Sequence, residues 1–67
     1  MSFRLEVSQE NGHARLRLYS QYAHDLLMQE ELPVRSATLR TIIRVFWHEK
    51  VDVQETEKGL IKGIMQG

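Results

Sequence analysis

The chain has 67 residues, its nine basic and nine acidic side chains leave no net charge, and it contains no cysteine. This length leaves room for one small domain, residues 1–67, which no disulfide can stabilise. Domains this small usually need a disulfide, a metal or a partner subunit, so we expect a homodimer. Neither a signal peptide nor an apolar run long enough for a membrane is apparent, so we expect a cytoplasmic protein without a membrane partner.

A β-hairpin is predicted near the start of the chain. Asn11 and Gly12 form the pair of residues that most strongly favours a two-residue hairpin turn. Strands over 3–9 and 13–19 would then place Glu10 opposite His13 and Arg4 opposite Tyr19. In this register the apolar and polar side chains fall on opposite faces of the hairpin. The polar face would carry Arg4, Glu6, Arg15, Arg17 and Tyr19.

Two helices are predicted after the hairpin. The first spans 21–32, with Ser20 as its N-cap and Pro33 as its stop. The second spans 36–50, with Ser36 as its N-cap. Its apolar arc covers more than half of the circumference, which is more than one neighbouring helix hides. A second copy of the chain is the simplest way to cover that arc, whose core stripe is Leu39, Ile42, Ile43 and Phe46.

A marginal third helix is predicted over 53–65. Asp52 and Glu55 have the spacing of a capping box. Gly59 and Gly63 each weaken a helix by about 1 kcal/mol. The segment is therefore either a docked helix or a frayed tail, and its apolar stripe, which needs a surface to cover it, favours the docked helix. The stripe consists of Val53, Leu60, Ile61, Ile64 and Met65.

Residues 14–49, "ARLRLYSQYAHDLLMQEELPVRSATLRTIIRVFWHE", resemble a ribbon-helix-helix domain. The resemblance implies an α+β homodimer in which an N-terminal β-hairpin precedes two to three α-helices. It also implies that Arg15, Arg17 and Tyr19 read DNA bases and that Ser36 lies at a phosphate-binding helix end. The hairpin and the joint "ELPVRS" depart from the family, which has one strand and usually a glycine at the joint. A different dimer of a hairpin and helices therefore remains open.

Two sets of candidate functional residues follow. The first would bind a partner, although a solvated surface is the simpler interpretation for its arginines and a core position the simpler one for Trp47. It comprises Arg4, Arg15, Arg17, Tyr19, Arg40, Arg44 and Trp47. The second would form the dimer core and comprises Leu16, Leu18, Leu39, Ile42, Ile43 and Phe46.

Catalytic and metal-binding chemistry is not expected. The histidines His13, His24 and His48 lack the spacing of metal ligands, and there is no cysteine. No nucleophile motif or phosphate-binding loop occurs. We therefore expect no enzyme, no metal and no cofactor.

Two functions fit these features. The first is a small homodimeric regulatory protein that docks on another protein, such as a transcription factor, and inhibits or modulates it. Zero net charge and acids among the hairpin arginines favour it, and small proteins of phages and mobile elements are similar in size. The alternative is a DNA-binding repressor of ribbon-helix-helix type, for which strong salt dependence is expected.

Overall fold

A computed structural model describes residues 2–67, and its four strands form one sheet in the order β3-β2-β1-β4. β4 runs parallel to β1, and the other neighbouring strands are antiparallel. The protein is therefore α+β, with a four-stranded sheet and two helices, and the predicted order of a hairpin followed only by helices is wrong. The elements are β1 (Phe3–Glu10), β2 (His13–Ser20), β3 (Leu26–Pro33), α1 (Ala37–His48), β4 (Asp52–Glu55) and α2 (Leu60–Gln66).

The hairpin of β1 and β2 forms in the predicted register. Asn11 and Gly12 make the turn with φ values of 52° and 79°, and a type I′ turn requires both values to be positive. Glu10 lies opposite His13, and Arg4 lies opposite Tyr19. The turn and the alternation of apolar side chains therefore specify the same pairing, as expected from the sequence.

The predicted helix over 21–32 is wrong, because Leu26–Pro33 form strand β3 along the second edge of β2. Ser20, the predicted N-cap, ends β2 instead, and its N–H donates to the Asp25 carbonyl at 3.0 Å. His24 has a φ of 60°, a left-handed conformation that does not occur inside a helix. A hairpin alone is marginally stable in water, so pairing with a third strand overrides the helix propensity of this segment.

The second predicted helix is confirmed as α1. The Ser36 hydroxyl accepts hydrogen bonds from the amides of Thr38 at 3.1 Å and Leu39 at 3.4 Å, which satisfies two donors that the helix itself cannot pair. Lys50, with a φ of 61°, follows the end of the helix. Of the predicted core stripe, two residues are fully buried and two are half-buried, and all four pack into the core: Leu39, Ile43, Ile42 and Phe46.

The predicted third helix is wrong in its first half. Asp52–Glu55 form β4 beside β1, and the helix begins only at Leu60. Gly59 precedes it with a φ of 85°, a conformation that glycine adopts without strain. Of the two predicted alternatives, a docked helix and a frayed tail, the docked helix is correct for α2, because Leu60 and Ile64 are buried in the core.

Both helices cover one face of the sheet. The buried core consists of Leu5, Val7, Ala14, Leu16, Leu39, Ile43, Leu60 and Ile64. The chain's own sheet thus covers the core stripe of α1, so this stripe no longer requires a second copy of the chain. Val45 and Trp47, at the flanks of the apolar arc, stay about half exposed. Within residues 2–67, no helix has the length and apolar character needed to cross a membrane.

Candidate protein-binding surfaces

The sheet brings four of the predicted binding residues together on the face that carries no helix. Arg4 lies opposite Tyr19, and Arg15 and Arg17 occupy alternate positions of the same strand. Strands β3 and β4 extend this surface on either side. We call it the open sheet face, and it comprises Arg4, Glu6, Ser8, Glu10, His13, Arg15, Arg17, Tyr19, Gln29, Glu31, Asp52 and Gln54.

Arg15 has the strongest ionic contacts on the open sheet face. Its Nη2 lies 2.8 Å from Glu31 Oε1 and 3.8 Å from Glu10 Oε2, and its Nε also donates to Glu31 at 3.0 Å. The hydrogen bonds to Glu31 and the charge of that carboxylate raise the pKa of Arg15 above its ordinary value. Arg15 therefore links β1 and β3 through its contacts with Glu10 and Glu31.

Arg4 and Arg17 also have neighbours within the face. The guanidinium carbon of Arg4 lies 4.8 Å from the centroid of the Tyr19 ring, a distance at which a cation and an aromatic ring attract each other. The Nε of Arg17 donates to the side-chain oxygen of Gln29 at 3.1 Å. The face thus presents ordered arginines and an aromatic ring, which are side chains enriched at protein interfaces.

Positive charge does not dominate the open sheet face. The three arginines share it with four carboxylates, those of Glu6, Glu10, Glu31 and Asp52. Surfaces that bind the phosphate backbone of nucleic acids usually carry a clear excess of lysine and arginine. The balance of charge here is closer to that of a protein-binding surface.

Arg40 and Arg44 do not join this face. Both lie on α1, on the opposite side of the sheet. Arg40 is half-buried and donates from Nη1 to the Arg35 carbonyl at 3.3 Å, whereas Arg44 is exposed. The predicted set of partner-binding residues is therefore divided between two surfaces of the molecule.

Trp47 stands beside a groove formed by three elements. It is 46% exposed near the end of α1. Half-buried Val53 on β4 and half-buried Ile61 and Met65 on α2 line the same groove, which has a volume of about 540 Å³. The groove is wide open to solvent, so it suits a segment of another protein better than an enclosed small ligand. We call this feature the Trp47 groove, and its remaining walls are Glu55, Lys62 and Gln66.

One wall of the Trp47 groove is held in place by Glu55. Its carboxylate accepts hydrogen bonds from the amides of Ile61 at 2.8 Å and Gly59 at 3.0 Å. These bonds lower the pKa of Glu55 below its ordinary value, because they stabilise the charged form. They also link the end of β4 to the first turn of α2, so the two elements that face Trp47 are joined directly.

The sequence does not predict the Trp47 groove. It predicts one helix for Val53, Ile61 and Met65, whereas they come from a strand and a helix that face Trp47. The sequence also predicts a helical stripe that includes Leu26 and Leu27 in place of strand β3, because leucine, methionine, glutamine and glutamate favour helices. Leu26 and Leu27 are about half exposed in the structure.

Within residues 2–67, no group of three or more histidine, cysteine, aspartate or glutamate side chains is arranged to hold a metal ion. Predicted partner-binding residues lie on the open sheet face and at the Trp47 groove, so both are candidate protein-binding surfaces. No family model, curated protein or solved structure matches this chain.

Proposed function

We propose that this is a small regulatory protein that binds another protein through the Trp47 groove and thereby modulates the activity of that partner. The observation that carries the proposal is the 46% exposure of Trp47 beside apolar side chains from β4 and α2. Tryptophan is among the residues that contribute most to protein interfaces, especially where it is seated in a pocket. Burial of apolar surface favours association, and the part that exceeds the entropy lost on binding appears as affinity.

The shape and chemistry of the groove favour an amphipathic helix as the bound segment. Such a helix places apolar side chains at helical spacing into an apolar groove. Its polar flank would meet Glu55 and Lys62, which carry opposite charges at the groove walls. The partner would be a regulated protein such as a transcription factor, and inhibition follows if the bound helix is one that the partner needs elsewhere.

We retain the homodimer and the cytoplasmic location as parts of this proposal. A 67-residue chain without cysteine has few other means of stabilisation, which favours a partner subunit. The absence of cysteine is also compatible with a reducing compartment. Leu16, Leu39 and Ile43 are fully buried within one chain, so a dimer would use other surfaces than the predicted dimer core.

The DNA-binding alternative has less support. The first helix required by the ribbon-helix-helix resemblance is strand β3, and carboxylates match the arginines on the open sheet face. A bound protein and bound DNA also differ in salt dependence. Contacts with phosphate weaken steeply between about 50 and 200 mM salt, whereas an apolar interface changes little.

Affinity capture from the source cell, with nuclease treatment, would identify the partner, and titration of the purified pair would measure its affinity. We expect Trp47→Ser to weaken binding by about thirtyfold or more, because an interface anchor contributes about 2 kcal/mol or more. Tyr22→Ser is the matched control, since Tyr22 is 82% exposed outside the groove. Equal affinities of the two variants, or loss of the complex with nuclease, would contradict the proposal.

A further inference from the structure

Strand β3 forms an open edge of the sheet. Its only strand neighbour within residues 2–67 is β2, and all of its eight residues except Leu32 are exposed. Leu26, Leu27 and Met28 are 52%, 51% and 37% exposed. An edge strand carries backbone N–H and C=O groups that can pair with a further strand.

The hydrogen-bond pattern shows which backbone groups face outward. The Val34 N–H donates to the Gly12 carbonyl at 3.0 Å, so this pair is a hydrogen-bonded position of the β2–β3 ladder. Bonded positions alternate along antiparallel strands, and Glu30 therefore bonds to β2. Gln29 and Glu31 direct their N–H and C=O groups away from the sheet.

Three features restrict pairing at this edge. The backbone nitrogen of Pro33 faces away from β2, and proline has no N–H to offer to a further strand. At the other end, a register shift makes Leu27 an extra residue of β3, and such a bulge limits regular pairing. Between them, Glu30 lies opposite the buried Leu16, on the helix-covered side of the sheet, and it is exposed.

The charges at this edge select against a second copy of the chain. Two copies of the chain could pair through their β3 strands, antiparallel and with all helices on the same face. The Glu30 and Glu31 side chains of both copies would then lie close together. Some registers place Glu30 directly opposite Glu30 or Glu31 directly opposite Glu31. Like charges facing each other across strands are destabilising. The acidic edge is therefore better suited to a strand of opposite charge.

Two adjacent basic residues fit both carboxylates. Glu31 lies on the open sheet face beside Arg15, whereas Glu30 points to the helix-covered side. Consecutive residues of a strand also alternate between faces. In an antiparallel segment, the residues that follow the basic pair would meet Gln29 and then Met28, where regular pairing ends at the bulge. Met28 and the neighbouring Leu27 are exposed apolar side chains.

We propose that β3 binds an extended segment of another protein, which carries two adjacent basic residues followed, after one intervening residue, by apolar residues. The segment adds to the sheet as an antiparallel strand beside β3. This site is independent of the Trp47 groove, because β4, which lines that groove, forms the opposite edge of the sheet.

A synthetic peptide, Thr-Lys-Arg-Thr-Val-Ile-Thr, tests the site by calorimetric titration of the full chain. We expect binding to be abolished when Glu-Glu replaces Lys-Arg. N-methylation of the lysine that faces Glu31 and of the threonine that faces Gln29 should weaken binding about tenfold, because their amides pair with β3. N-methylation of the arginine that faces Glu30 should have little effect, because its amide points to solvent.

Two variants of the protein complete the test. Gln29→Pro removes an outward N–H but no backbone hydrogen bond to β2, and we expect binding to weaken about tenfold. Gln29→Ala loses the same side-chain bond to Arg17 but keeps the N–H, so it should bind the peptide normally. Glu30→Lys should weaken binding of the basic peptide and allow binding of the acidic one. Trp47→Ser serves as the control and should bind the peptide normally. Circular dichroism would verify the fold of each variant.

Several outcomes would overturn this inference. No binding of the basic peptide, or equal weakening by N-methylation on the two sides of the peptide, would show that β3 does not accept a strand of this kind. A third outcome is concentration-dependent protection of the Gln29 and Glu31 amides from hydrogen exchange in the protein alone. That result would assign the edge to a second copy of the chain.

Discussion

The carboxylate of Glu55, the last residue of β4, accepts a hydrogen bond from the backbone N–H of Ile61, in the first turn of α2, at 2.8 Å. The same carboxylate accepts a second bond from Gly59 at 3.0 Å. Gly59 itself has no side chain with which to cap the helix. Glu55 therefore takes the place of the usual capping side chain and joins the end of the sheet to α2.

Stability should depend on pH through Glu55. Its pKa is lower in the folded chain than the ordinary value of 4.5, so its contribution is fully present above that ordinary value. The contribution is lost as the pH falls through the lowered pKa, because the protonated carboxyl accepts hydrogen bonds less well. Between pH 7 and pH 2, the melting temperature of Glu55→Gln should fall by less than that of the parent chain.

Glu57→Gln is the control for this experiment, since Glu57 is exposed between β4 and α2 and its side chain accepts a bond from Gln9 at 3.3 Å, not from the amides of α2. The parent chain and Glu57→Gln should follow the same pH profile. If Glu55→Gln also follows it, the cap does not contribute to stability.

Ser36→Ala should destabilise the protein by about 1 kcal/mol, within a range of roughly 0.5–2 kcal/mol for N-cap serines. The substitution removes the hydroxyl that accepts bonds from Thr38 and Leu39. Ser36→Asp should retain most of the stability, because aspartate also caps helices. Urea unfolding followed by circular dichroism measures both variants, and equal losses would show that the cap is not what stabilises α1.

Leu39→Ala should destabilise the protein by about 2–5 kcal/mol, because it leaves a cavity in the core. Leu39 is fully buried within one chain, so the loss of stability caused by this substitution should be the same at low and at high protein concentration. Val45→Ala on the same helix should change stability by less than about 0.5 kcal/mol, since Val45 is 53% exposed. A similar loss for both variants would place Val45 in an interface.

Arg4 and Tyr19 should be coupled by about 0.5–1 kcal/mol, the usual contribution of an exposed cation and an aromatic ring. The arginine carbon lies 4.8 Å from the ring centroid. A double-mutant cycle with Arg4→Gln and Tyr19→Leu, measured by urea unfolding, gives the coupling. Purely additive losses would mean that the two side chains are neighbours without mutual attraction.

Short-range signals predicted part of this fold correctly. Asn11 and Gly12 specify the hairpin turn because few residue pairs adopt positive φ at both positions. Ser36 specifies the start of α1 because its hydroxyl reaches amides only two and three residues away. Both effects act between residues that are close in the chain, so they are readable without knowledge of the tertiary structure.

Short-range signals of this kind do not predict the pairing of β3 with β2. Residues 26–33 are rich in helix-favouring side chains, and Leu26 and Leu27 fit a helical stripe as well as a strand. In the hairpin, one edge of β2 is unpaired, and its backbone groups offer hydrogen bonds to any segment that returns beside it. These bonds are why residues 26–33 form a strand and not a helix. The register shift near Leu27 then accommodates the turn that precedes β3.

The sequence by itself determined the hairpin and its register, the start of α1 and the apolar side chains that form the core, because each depends on local backbone geometry or on alternation along the chain. Only the tertiary structure decided that 26–33 and 52–55 are strands, that the sheet covers α1, and that Trp47 faces β4 and α2. These features depend on contacts between residues far apart in the chain, where the free energy of pairing outweighs local preference.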